Sequence, residues 1–106
     1  MQSTRHTLYA LNIGDQAIEI VQGSLLVVER SASTEPEWEL VVHTAAPHPV
    51  APGTHLATMT CVDIVDPDSS EPTVCLYRLA GSAFLVRNVN QTVVLRGDGR
   101  LTRLDS

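Results

Sequence analysis

The chain has no lysine. All seven of its basic residues are arginine, set against twelve acidic ones, for a net charge of −5. An acidic balance of this kind disfavours binding to nucleic acid. Aromatic residues are few, with one Trp, one Phe and two Tyr, so the core must be built from Val, Leu, Ile and Ala. Two cysteines are too few for a disulfide scaffold. No apolar run approaches the ~20 residues that cross a bilayer. The opening MQSTRHTLYA lacks the long apolar region of a secretory signal. The expectation is a cytoplasmic chain with reduced thiols and no membrane partner. The six glycines are scattered singly, with no phosphate-cradling loop, and no nucleophile elbow frames a serine. Whether the protein is an enzyme is left open, with the sequence leaning against it.

What is present is β-forming. At 106 residues the chain is expected to be a single all-β domain spanning residues 1–106. Residues 6–13 (HTLYALNI) read as a first strand, followed by the turn pair Gly14-Asp15. Residues 16–21 (QAIEIV) place Ile18 and Ile20 on one face, and Gly23 marks a bulge or a positive-φ position. Residues 24–30 (SLLVVER) form a continuous apolar strand, expected to be central or covered on both faces. Residues 37–43 (EWELVVH) alternate, with Trp38, Leu40 and Val42 on one side. Residues 44–53 hold three prolines and a glycine and read as a stiff loop.

Two further strands, 54–65 and 72–80, flank the turn cluster DPDSSE. With the turn centred on Asp68, Cys61 opposes Cys75, Met59 opposes Tyr77 and Val62 opposes Val74, a register that permits a disulfide. An apolar surround in a reducing compartment predicts two inert core thiols instead. A break is expected at residues 80–82, then strands over 83–89 and 91–96. Asp98-Gly99 signals a tight turn into a closing strand, and Arg87, Arg96, Arg100 and Arg103 read as the solvated ends of that terminal hairpin. About nine short strands with turn signals every ~8–12 residues predict an antiparallel jelly roll, β-sandwich or small barrel.

Residues 17–28 (AIEIVQGSLLVV) and 50–55 (VAPGTH) carry a resemblance. The first resembles the opening motif of cupin-like β-rolls, where a strand leads through a glycine into an apolar strand. The second resembles the start of that family's second motif, a Pro-Gly turn before a histidine. The resemblance implies a jelly roll. The positions where the family places its metal ligands fall here on Ala10, Asn12 and Gln16, so the standard metal site is missing.

Three histidines, His43, His48 and His55, lie in and beside the Pro-rich loop. If they converge, they offer a metal site with an open position. Three functional readings follow. The first is a non-catalytic β-roll that binds or assembles and forms a homodimer or other homo-oligomer, with no cofactor and with a protein or small-ligand partner. The second is a small metal-dependent cupin-like enzyme or metal sensor using His43, His48 and His55 with a transition metal. The third is a metal-free roll that takes a small ligand in its lumen.

Overall fold

The computed structural model describes residues 2–32, 34–47, 49–65, 68–71 and 73–104. They contain eight strands: β1 (Gln2–Ile13), β2 (Gln16–Ile18), β3 (Ile20–Glu29), β4 (Glu37–Thr44), β5 (Thr54–Val65), β6 (Thr73–Val89), β7 (Thr92–Gly97) and β8 (Thr102–Arg103). None of the described residues is helical, so no helix is long and apolar enough to cross a membrane. The all-β antiparallel class expected from the turn spacing is what folds. Six strands close into a barrel in the order β1-β3-β4-β7-β6-β5, with β5 returning to pair with β1.

Alternation explains the barrel wall. Leu25, Trp38, Leu40, Val42, Ala57, Met59, Cys61, Ala83, Val93 and Leu95 face inward and are almost completely buried. Their side chains fill the interior, and every buried polar side-chain atom among the described residues has a hydrogen-bond partner. Thr44, the one buried polar residue among them, donates its hydroxyl to the Ala46 carbonyl at 2.7 Å. The strand over residues 24–29 is central, between β1 and β4, but only Leu25 is sealed: Val27 on the inside and Leu26 and Val28 on the outside are all partly exposed.

Closing six strands requires sharp local bends, and bulges supply them. The ladder shifts register between Leu8 and Ala10, between Ile20 and Gln22, and between Leu85 and Arg87. The extra residues are Tyr9, Val21 and Val86, and all three are exposed. Three of the conspicuous surface hydrophobics are therefore a by-product of barrel curvature. Gly23 sits beside one of these bulges without a positive φ. It is needed because a Cβ there would meet Val42 and Leu8 at 2.8–3.3 Å.

The strand count is one lower than the turn signals predict because the chain does not break at Gly81, and a second signal does not reverse it. Gly81 lies inside the 17-residue β6, where a break is expected from sequence. Asp98-Gly99 does not form a terminal hairpin either. β8 pairs with β6 through Leu79–Arg103 and Ala80–Thr102, on the edge that β7 vacates. β7 and β8 are thus one interrupted strand running along β6, held by bonds from Asp98 N to Ser82 O (2.8 Å) and from Leu104 N to Arg78 O (3.0 Å).

The cause is Trp38. Its indole lies over Gly81 and Gly97, where any Cβ would intrude on the ring, and its Nε1 donates to the Gly99 carbonyl at 2.9 Å. Residues 98–101 wrap this one large side chain. The arginines scatter accordingly: Arg96 pairs with Glu39 at 3.4 Å and Arg100 with Glu35 at 3.3 Å, so the four C-terminal arginines do not form a common hairpin end.

The β5–β6 register differs from expectation. Cys61 opposes Tyr77, Asp63 opposes Cys75, Met59 opposes Leu79 and Val62 opposes Leu76. The turn is centred on Ser69 instead of Asp68, since Val65 pairs with Thr73. Moving the centre by one residue moves each partner by two. Both cysteines stay on the inward side of the wall but become diagonal neighbours, and both are free thiols. Diagonal pairs lie about 7–8 Å apart, beyond the usual disulfide span of about 4.4–6.8 Å. Asp63→Cys should therefore form a bridge with Cys75 under mild oxidation, while the wild-type pair does not. Peptide mapping by mass spectrometry distinguishes the two, and a native Cys61–Cys75 bridge would refute the register.

Candidate functional site

The barrel does not close along its whole length. β1 pairs with β5 from Thr7–Val62 down to Ile13–Ala57. Both strands run on, β1 back to Gln2 and β5 up to Val65, but they do not pair there. The β5–β6 hairpin leans away and leaves a split seam. A cleft of about 630 Å3 occupies it, lined by Thr4, Arg5, His6, Thr7, Val62, Asp63, Cys75, Tyr77 and Arg103.

Inside the seam, polar side chains succeed the aliphatic core. His6 precedes the buried Leu8 by two residues and shares its inward face. Tyr77 stands opposite the fully buried Cys61. The Tyr77 hydroxyl and His6 Nδ1 are hydrogen-bonded, and the two rings meet edge to face with centroids 5.7 Å apart. The hydroxyl donates when Nδ1 is unprotonated. β8 brings the Arg103 guanidinium over the Tyr77 ring, 5.5 Å from its centroid, a cation–π arrangement.

The electrostatics follow from burial. Desolvation pushes the Cys61 thiol from 9.0 up to about 11, partly offset by its hydrogen bond with Tyr77. Burial also raises Tyr77, reinforced by the charges of Cys61 and Asp63 and opposed by Arg103. A thiol driven this way is a poor nucleophile at neutral pH, because the reactive species is the thiolate.

The sequence points instead to His43, His48 and His55, and the fold treats these differently. His43 faces outward from β4, the side opposite Trp38, Leu40 and Val42, and its Nδ1 bonds Thr92 Oγ1 at 3.1 Å. His55 begins the inward-facing series of β5 that continues through Ala57 and Met59, and its Nε2 donates to the Ala51 carbonyl at 2.6 Å. Those two rings lie on opposite sides of the barrel wall. His48 lies outside the described residues. Among the described residues no group of three His, Cys, Asp or Glu side chains is placed to hold a metal ion.

No protein-family model, no curated protein and no solved structure matches this chain. What the site does must be read from its own chemistry.

A second surface stands out on the outside of the same hairpin. Leu56, Ile64, Val74, Leu76 and Phe84 are exposed large hydrophobics, and all five face outward from β5 and β6. Ile64 opposes Val74, and Leu76 opposes the half-buried Val62. With the bulge residues set aside, this one face holds most of the remaining exposed large hydrophobics among the described residues. His6 escapes a reading from sequence. Only the barrel's closure joins residue 6 to residue 77, and only the strand register shows which aliphatics point outward.

Proposed function

We propose that this chain is a non-catalytic assembly module that self-associates through the outward face of β5 and β6. The observation that carries the reading is the composition of that face. Along β5 it presents Thr54, Leu56, Thr58, Thr60, Val62 and Ile64, and along β6 Val74, Leu76, Arg78, Ala80, Ser82 and Phe84. It bears no carboxylate in a chain of net charge −5. Contiguous exposed apolar surface marks protein interfaces, and depletion of charge marks their centres.

A second copy is the partner that fits. β5 is 12 residues long, about 40 Å at the usual rise. With β6 about 4.8 Å away along its length and β1 alongside only from Thr7 to Ile13, the face covers roughly 500 Å2. That is about three-fifths of the ~800 Å2 per partner of a standard interface. A face with apolar patches and no carboxylate can pair with its own copy about a twofold axis. The filled interior favours this reading over a lumenal ligand, and two free, non-opposed thiols suit a reducing, cytoplasmic setting.

Light scattering across a concentration series tests it. The wild-type chain should weigh twice its 11.5 kDa at micromolar concentration, and the Val74→Asp/Leu76→Asp double variant should weigh half as much as the wild type while keeping its fold. A wild-type monomer throughout the series would overturn the proposal.

A further inference from the structure

We infer that the open edge of β1 in the split seam docks an extended, acidic segment of a partner protein, added as a strand in the place that β5 leaves. From Gln2 to Thr7, β1 is paired with β3 on one side. On its seam side, Gln2 to His6 have no strand partner among the described residues, because β5 pairs only as far as Thr7. Backbone donors and acceptors along such an edge are a template for another strand. The open stretch spans about 17 Å at the usual rise, enough for roughly five guest residues. The cleft beside it, about 630 Å3, is within the range of ligand sites.

The register sets what the guest's side chains meet. Residues opposed across a ladder share a face. A guest residue opposite Arg5 therefore points outward, beside that guanidinium. Its two neighbours point inward, toward the bonded pair His6 and Tyr77. Arg5 is uncommitted: Arg30, Arg96 and Arg100 each hold a glutamate, whereas Arg5 makes no ion pair among the described residues. The outward side chains next to it, Ser3 and Thr7 on β1 and Leu26 on β3, carry no charge. On the inward side the cleft holds Arg103 and a single carboxylate, Asp63. The cleft thus carries a positive excess, on its outward side, in a chain of net charge −5. Charge complementarity of this kind selects an acidic guest.

Amide-detected NMR titration of the full chain tests this with three capped peptides. The probes are acetyl-Thr-Val-Glu-Val-Thr-amide, the same peptide with Gln for Glu, and the parent with its backbone amides N-methylated. The parent should give saturable shifts centred on residues 2–7 and 62–65. N-methylation should weaken binding by at least about tenfold, because it removes the ladder donors. The Gln peptide should bind about threefold more weakly, the scale of an exposed ion pair. Arg5→Gln should cost the parent a similar factor and abolish its advantage over the Gln peptide. Arg87→Gln, near the other end of β6, should leave both unchanged. Equal binding of the N-methylated peptide, a Glu preference that survives Arg5→Gln, or shifts that fail to saturate or centre elsewhere would overturn the site. So would protection of amides 2–6 that rises with protein concentration alone, which would assign the edge to a second copy.

Discussion

Gly97→Val should destabilise the fold by about 3 kcal/mol or more, at the upper end of what overpacking costs. Any Cβ at residue 97 falls inside the envelope of the Trp38 indole, against Cε2 and Nε1. The ring cannot step aside. A Cβ-free backbone at Gly81 is already in contact with its far edge, Leu101 packs beside it, and its Nε1 is tied to the Gly99 carbonyl. The clash therefore propagates into residues 98–101 and loosens the β8 pairing. Denaturant unfolding of Gly97→Val, Trp38→Leu and the double variant checks the cause. Trp38→Leu alone should cost about 3 kcal/mol from lost burial. The double variant should be clearly more stable than the sum of the two singles predicts, since the smaller side chain removes the clash. Strict additivity would mean that residue 97 acts through strand propensity and not through the indole.

Raising the pH from about 9 to about 11 should remove roughly 2–3 kcal/mol of folding stability through Cys61 alone. The thiol ionises near 9.0 when unfolded and near 11 in the barrel. Between those values the unfolded chain releases a proton that the folded chain retains, so unfolding gains. Below about pH 9 both states are protonated and stability is at its full value; above about 11 the loss is complete. Tyr77, raised by the same burial, ionises later in the folded state as well and adds to the alkaline loss. Urea midpoints across this range report the slope. Cys61→Val should flatten it substantially, whereas the exposed Cys75→Val should not. An unchanged slope in Cys61→Val would show that the thiol is not what titrates.

How far the sequence speaks for the fold depends on the residue. The strand 54–65 is legible to the residue, and so is the inward trio Trp38, Leu40 and Val42, because alternation along one strand is a local property. Gly81 and Asp98-Gly99 mislead. Read locally, each is a turn signal; in the barrel, Gly81 and Gly97 are spaces for a tryptophan from another strand, and Asp98-Gly99 arches over it. The hairpin register misleads by two because the turn-forming residues 66–71 (DPDSSE) allow more than one turn centre. The site is the least legible part. His43 and His55 are close in sequence but lie on opposite faces of the wall, whereas His6 and Tyr77, 71 residues apart, are bonded. Barrel closure makes that pairing, and no local pattern encodes it.

Amide hydrogen exchange, followed at two protein concentrations, tests the central claim most directly. If the β5–β6 outer face joins two copies, amides of residues 63–65 and 73–75, which project beyond the paired part of β1, should exchange markedly more slowly at high concentration. The β3–β4 hairpin should show no such dependence. Exchange along β5 and β6 that is identical at both concentrations, in a sample that light scattering finds to be dimeric, would place the interface elsewhere and contradict the account.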